Sequence, residues 1–88
     1  MLIKVLGNEF PLSASSNTTV NNAVVVRLVH TGAQEHKITI ADGAGSNIGT
    51  ITMLNNSEMF LEKNRTHTLQ ISPHEGNDVL AVSIAYKN

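Results

Sequence analysis

The chain has 88 residues, enough for one small domain with one hydrophobic core. Its 6 basic and 7 acidic residues give a formal charge of -1, so bulk charge does not predict binding to nucleic acid or another polyanion. The absence of cysteine excludes disulfides, thiolate nucleophiles and cysteine-ligated zinc. Val, Ile and Thr together number 23, and this abundance of β-forming residues predicts an all-β fold.

The N-terminal quarter of the chain divides into an apolar run and a polar segment. Residues 2–6 predict a strand, but Lys4 interrupts the run and no signal-peptide core follows. No stretch approaches the ~20 apolar residues of a membrane-spanning helix, so we expect no membrane partner. Residues 13–22, rich in Ser, Thr and Asn, predict a loop or an extended surface segment. We therefore expect residues 1–23 to form a strand plus a polar segment or arm, which either pairs at a distance or reaches a neighbouring molecule.

The remainder, residues 24–88, has the rhythm of a compact β core. Strands are predicted near 24–30, 36–41, 48–54, 57–62, 66–71 and 79–86. The breaks at 31–35, 42–47 and 55–56 have the length and residue types of hairpin turns, so successive strands are expected to be antiparallel neighbours. The predicted fold is a single all-β domain over residues 1–88. It would be a small antiparallel β-sandwich or a partly closed barrel of about seven or eight strands.

Alternation along the strands assigns side chains to faces. Ile38 and Ile40 are expected on the buried face of their strand, as are Ile51 and Met53 on the buried face of theirs. In the last strand, the larger apolar side chains form one face, which we expect to be the dry one: Leu80, Val82, Ile84 and Tyr86.

The strand over residues 24–29 departs from this pattern, because it is apolar on both faces except for Arg27. Such a strand is typically covered on both sides, here by a loop or by another chain. A chain of this size buries only about 60–65% of its unfolded surface, so an oligomer or lattice contact would add useful burial. Arg27 is expected to pair with Glu58 or Glu62 in a buried ion pair, or else to reach a partner surface.

Phe60 shares its face with Glu58 and Glu62 and is a candidate for an exposed contact residue; the alternative is a reversed strand in which Met59 and Leu61 face outward. We interpret it as part of a protein interface rather than as a platform for ligand stacking, since the chain has no Trp. The candidate interface residues are Leu2, Ile3, Val5, Val25, Arg27, Val29 and Phe60.

The four histidines are the residues most often used for metal binding or proton transfer. His30 and His36 flank a five-residue break, and a hairpin would place them opposite one another. A third ligand would have to come from His67, His74 or Glu35, and no HxH or HExxH spacing supports such a site. We therefore expect exposed turn histidines, a half-buried His67 and no metal.

No pattern predicts catalysis. Residues 43–50 are rich in glycine but lack the lysine and the following helix of a phosphate loop, and they predict a hairpin turn. Glu58 and Glu62 would lie roughly 13 Å apart at ~3.3 Å per residue, too far to share a proton. No serine lies in a GxSxG motif. We expect no catalytic residue, no cofactor and a protein that is not an enzyme.

Four short stretches of the core carry a family resemblance: residues 25–31, 48–52, 58–63 and 67–68. They read VVRLVHT, IGTIT, EMFLEK and HT. Together they resemble a pattern of small β-proteins in the virions of tailed bacteriophages, over about residues 24–86. In those proteins Asn and Asp are usual where His30 and His67 stand here. The resemblance implies a virion structural protein, and in particular a capsid decoration or cement subunit that caps or bridges coat proteins.

This resemblance sets the functional expectation. The partner would be the major capsid protein or another virion protein, and the chain would be a homo-oligomer, with a trimer among the candidates, on the capsid surface after synthesis in the host cytoplasm. A location on the tail or a fibre is an alternative. A second alternative is a small module that binds carbohydrate or metal through loops bearing His30, His36, Asp42 or Asn47.

Overall fold

The computed structural model describes residues 2–72 and 78–87, without the side chains of residues 86 and 87. Over these residues the chain forms eight strands and is all-β, as predicted. They are β1 (Leu2–Val5), β2 (Phe10–Pro11), β3 (Val25–His30), β4 (His36–Ala41), β5 (Asn47–Met53), β6 (Glu58–Glu62), β7 (Thr68–Ser72) and β8 (Val79–Lys87).

The strands form two antiparallel sheets that pack as a sandwich. The first sheet has the order β1-β8-β3-β6, and β2 pairs with β8 on the same side as β1. The second has the order β5-β4-β7. The described strands do not close into a barrel, so the sandwich alternative of the prediction is confirmed. Every strand predicted from the alternation is present, while β2 was missed because it has only two residues and ends in a proline.

The expectation that successive strands pair was wrong for most of the chain. Among the eight described strands, only β4 and β5 form a hairpin, through the turn in which Gly45 has a φ of 93°. The breaks at 31–35 and 55–56 instead carry the chain from one sheet to the other, because β3 and β6 belong to the first sheet and β4 and β5 to the second. A turn of a few residues is long enough either to form a hairpin or to cross between the two sheets. The length of these breaks therefore did not distinguish the two kinds of connection.

The core lies between the two sheets and is almost entirely aliphatic. Its fully buried members come from both sheets and from the segment that connects β2 to β3: Leu12, Val20, Ala23, Val26, Leu28, Ile38, Met53, Leu69, Ile71, Val79 and Ala81. Phe10, Met59 and Leu61 pack against this cluster and are partly buried.

Strand β8 buries the opposite face from the one expected. Val26 pairs with Ser83 and Leu28 pairs with Ala81, so the small side chains of β8 face the core. The larger residues Leu80, Val82 and Ile84 point to the outside of the sheet. Val82 and Ile84 are nevertheless only 5% and 2% exposed, so both faces of β8 are largely buried. The side chain of Tyr86 lies outside the described part of the structure.

Strand β5 also differs from its prediction. Met53 is buried as expected, but Ile51 is 42% exposed although its register with Ile38 places it on the inner face. Ile51 lies on an edge strand, which pairs with β4 alone. The side chain therefore lacks the neighbour that would cover it.

The polar segment between β2 and β3 closes the sandwich and does not extend away as an arm. The Leu12 amide donates to the Val79 carbonyl in the first sheet, and Thr18 exchanges two backbone hydrogen bonds with Leu69 in the second. The preceding β1 pairs with β8 of the same chain. Of the two arrangements expected for β1, it therefore adopts pairing with a strand distant in sequence and does not extend to a neighbouring molecule.

A left-handed turn ends this segment. Val20, Asn21 and Asn22 have φ values of 54°, 57° and 56°, and the Ala23 amide donates to the Thr19 carbonyl at 3.2 Å. Asn adopts this region more readily than most residues, but a β-branched valine does so rarely. The turn directs Val20 into the core, where its side chain is fully buried.

Candidate interaction surface

The outward side of the first sheet, called here the outer face, gathers most of the predicted interface residues. Directly paired residues of antiparallel strands point to the same side of a sheet. Val25 pairs with Ile84, Arg27 with Val82 and Phe60, and Val29 with Leu80. The same rule adds two residues of β1 and one of β2, namely Ile3, Val5 and Pro11.

The outer face is apolar at its centre apart from Arg27, and it is most accessible on its edge strands β1 and β6. Val5 is 64% exposed, while Ile3 and Phe60 are each 39% exposed. Val25 and Val29 are half-buried, since each has strands on both sides. These exposed side chains lie on the two edge strands β1 and β6, whereas Val82 and Ile84 of β8 between them are 5% and 2% exposed. Apolar side chains that remain accessible on one sheet face are candidates for an interaction site.

Leu2 is the one predicted interface residue that does not share this face. It pairs with Lys87, one residue out of phase with Ile3, and therefore points to the other side of the sheet. Leu2 is 66% exposed, so it remains accessible at the end of β1.

Arg27 lies in the middle of the outer face and forms the ion pair that the sequence predicted. Its Nε lies 2.6 Å from a carboxylate oxygen of Glu58, and its Nη1 lies 3.6 Å from Glu9. The pair is not buried as expected, since the Arg27 and Glu58 side chains are 36% and 47% exposed. The pairing of β3 with β6 explains this contact. Phe60 is the direct partner of Arg27, and Glu58 lies two residues before Phe60 on the same face, so Glu58 is a diagonal neighbour of Arg27. An exposed pair of this kind contributes about 1 kcal/mol or less to folding.

The charged groups described on the outer face are mostly acidic. Glu9, Glu58 and Glu62 contribute three carboxylates, against the single guanidinium of Arg27. Glu62 is placed on the outer face by its pairing with Val25. The face thus has an apolar centre with acidic groups around it, which is the general layout of a protein interface with a polar rim.

The histidines occupy a different place from the one predicted. His30 and His36 are each 1% exposed and lie on different sheets, so they meet across the interior and not across a hairpin ladder. Their ring centroids are 5.3 Å apart. The expectation of exposed turn histidines was wrong because the connection between them crosses the sandwich.

Both ring nitrogens of His30 and of His36 have hydrogen-bonding partners within the protein. In His30, Nδ1 accepts the Gly32 amide at 3.1 Å and Nε2 lies 2.6 Å from the Gln34 carbonyl, which places the proton on Nε2. In His36, Nδ1 lies 3.3 Å from the Ser72 carbonyl, and Nε2 lies 3.3 Å from the Asp78 carboxylate. His30 therefore holds the backbone of the loop after β3, while His36 connects β4 to the end of β7 and to the Asp78 side chain.

The loops bearing the other candidate ligands offer no assembled metal site. The Asp42 carboxylate accepts the Ala44 and Ser46 amides at 2.9 and 3.0 Å and closes the β4–β5 turn. His67 is half-buried as expected and lies 3.3 Å from the Asn64 side-chain amide. His74 lies outside the described residues. Within residues 2–72 and 78–87, no three His, Asp or Glu side chains are placed to hold a metal ion.

Lys63 is a buried charged residue that the alternation did not reveal. It is only 6% exposed, and its Nζ donates to the Ala23 carbonyl at 2.8 Å and to the Asn64 carbonyl at 3.2 Å. Burial removes water from the ammonium group and lowers the pKa of Lys63 below its ordinary value of 10.5. The residue anchors the end of β6 to the left-handed turn before β3.

Comparison with known proteins adds no relative: no family model, no curated protein and no solved structure matches the chain. Among the described residues, no helix is long and apolar enough to span a membrane.

Proposed function

We propose that this protein is a non-enzymatic virion structural protein, a capsid decoration subunit that attaches to coat protein through the outer face. The observation that carries the proposal is the group of apolar side chains on that face, which includes the half-buried Val25 and Val29 and the exposed Phe60 of edge strand β6. The sequence resemblance to virion proteins of tailed phages supplies the class of partner. The fold itself fits many functions, so the proposal depends on the surface and not on the sandwich architecture.

The chemistry of the face favours a protein partner over a small ligand. Its centre is made of aliphatic side chains, with Phe60 as the described aromatic residue, whereas sugar and nucleobase sites generally use several aromatic platforms. The acidic groups around the centre would fit a coat-protein surface that carries Lys or Arg beside an apolar patch. Association would therefore weaken as the salt concentration rises.

A repeating lattice also suits a small domain. The core is made of medium-sized aliphatic side chains, and the net stability of such a domain is only a few kcal/mol. A partner that binds the folded state stabilises it by mass action, so the protein would be more resistant to unfolding on the particle than in solution.

Cosedimentation with capsids tests the proposal directly. Capsids assembled from the coat protein of the same genome are mixed with the purified chain, and the bound fraction is measured against chain concentration. The variants Arg27→Ala and Phe60→Ala should weaken binding by about 30-fold each, the loss expected for a central interface residue worth about 2 kcal/mol.

The matched control is Lys37→Ala, which removes one exposed cation from the outward side of the second sheet. This variant should bind like the unmodified chain. Because the Arg27–Glu58 pair is exposed, Arg27→Ala should also change the free energy of unfolding by about 1 kcal/mol or less. If the chain does not bind capsids, or if Lys37→Ala weakens binding as much as Arg27→Ala does, attachment through the outer face is refuted. Binding to purified tails instead of capsids would move the protein to the tail.

A further inference from the structure

The edges of the two sheets differ in how well they are protected against another strand. The edge of β7 is covered by the segment before β3. The Leu69 amide donates to the Thr18 carbonyl at 2.8 Å, the Ile71 amide donates to the Ser13 carbonyl at 3.1 Å, and Gln70 Nε2 donates to the Ala14 carbonyl at 2.6 Å. This segment occupies the positions that an incoming strand would take.

The edges of the first sheet carry charge. Strand β6 begins with Glu58 and ends with Glu62, and the four-residue β1 contains Lys4. Charged side chains and short length are the usual means by which natural proteins keep edge strands from pairing with other chains. If β6 paired with itself about Phe60, each Glu58 would lie opposite a Glu62, and the like charges would repel.

Strand β5 has no covering segment among the described residues and no charged side chain, and its one irregularity is a bulge at Ile48 near its N-terminal end. It is seven residues long, pairs with β4 alone, and lies in a stretch, residues 43–57, that contains no charged residue. Ile48 and Ile51 are 54% and 42% exposed. A long, uncharged and partly apolar edge is a ready template for an added strand.

The sequence of β5 is compatible with pairing to itself. The bulge opposite Ile40 and Ala41 falls at Ile48, which leaves a regular stretch from Gly49 to Met53 with Ile51 at its middle. Antiparallel pairing about Ile51 would place Ile51 against Ile51 and each Thr50 against a Thr52. Both are favourable cross-strand pairs, and no like charges meet.

Gly49 supports a close approach by another backbone. A Cβ at this position would meet no atom within 4 Å, so packing inside this chain does not require glycine there. Its φ is also outside the positive region, so the backbone conformation does not require glycine either. A glycine within a strand marks either a bulge or a place where a second backbone comes near. Gly49 directly follows the bulge at Ile48, and it also leaves the free edge of β5 open to an added strand.

We propose that β5 pairs antiparallel with β5 of a second copy of this chain, with the two-fold axis at Ile51. The two three-stranded sheets would then form one six-stranded sheet, with the strand order β7-β4-β5-β5-β4-β7. Such an interface is isologous, because each copy contributes the same strand. The contact is small compared with a standard interface, so the free dimer is weak and is strengthened where copies are concentrated on a surface. This inference does not depend on the outer face, which lies on the other sheet.

Cysteine cross-linking tests the pairing and its register. The chain has no cysteine, so a single Ile51→Cys substitution introduces the only thiol. Directly paired residues of antiparallel strands have Cα atoms about 4.5 to 5.5 Å apart, within the range that a disulfide spans. Under mild oxidation Ile51→Cys should give a covalent dimer. The matched control, Thr39→Cys, lies one strand inward on β4 and should remain monomeric.

Charge substitutions test the same axis without a covalent bond. Light scattering at millimolar concentration should show dimers for the unmodified chain and monomers for Ile51→Lys and Ile51→Glu separately, while an equimolar mixture of these two variants should dimerise again. Circular dichroism checks that each variant is folded. The proposal is overturned if the unmodified chain stays monomeric at this concentration, or if Ile51→Cys cross-links no faster than Thr39→Cys.

Discussion

The left-handed valine before β3 gives a prediction that separates backbone strain from loss of packing. Val20 and Val26 are both fully buried in the core, but Val20 has a φ of 54° while Val26 lies within strand β3. Replacing either by Ala removes two buried methyl groups and should cost about 2 kcal/mol. The informative comparison is the further step from Ala to Gly at each position.

At Val26 the step from Ala to Gly removes one more buried carbon, about 0.8 kcal/mol, and adds about 0.5–1 kcal/mol of backbone entropy to the unfolded chain. The expected loss is therefore about 1.5 kcal/mol. At Val20 the same two costs apply, but glycine relieves about 1–2 kcal/mol of left-handed strain. The step from Ala to Gly should then be close to neutral.

Urea unfolding of the four variants, two at each position, measures both steps under identical conditions. The two Ala-to-Gly differences should differ by about 1–2 kcal/mol. Equal differences at the two positions would show that Val20 is not strained and that the turn contributes nothing unfavourable to the folded state.

Two further predictions concern buried polar groups. The Thr68 hydroxyl is buried without a hydrogen-bond partner among the described residues, so Thr68→Val should raise the free energy of unfolding by about 1 kcal/mol in thermal or urea melts; a loss of stability would mean that the hydroxyl is bonded. The pKa of Lys63 is lower in the folded state than its ordinary value of 10.5 in the unfolded state. Between the folded and the unfolded pKa the unfolded state binds more protons, so the contribution of Lys63 to stability rises with pH. The stability of the unmodified chain relative to Lys63→Met should accordingly increase in urea melts as the pH approaches 10.5, and a flat or falling difference would contradict the assigned burial of the ammonium group.

The sequence by itself determined the features that depend on neighbouring residues. Alternation with a period of two located seven strands, and it assigned Phe60 to the same face of its strand as Glu58 and Glu62, because successive side chains of a strand point to opposite faces. It also indicated Glu58 and Glu62 as the candidate partners of Arg27, and the structure shows the ion pair with Glu58.

The tertiary structure alone decided which strands are neighbours. The breaks after His30 and before Glu58 have hairpin length, yet both cross between sheets, and this difference buried His30 and His36. The register of β8 with β3 turned the small side chains of β8 toward the core, and the edge position of β5 left Ile51 uncovered. The physical reason is the same in each case: alternation is set within a few residues of chain, whereas strand order is set by contacts between residues far apart in sequence.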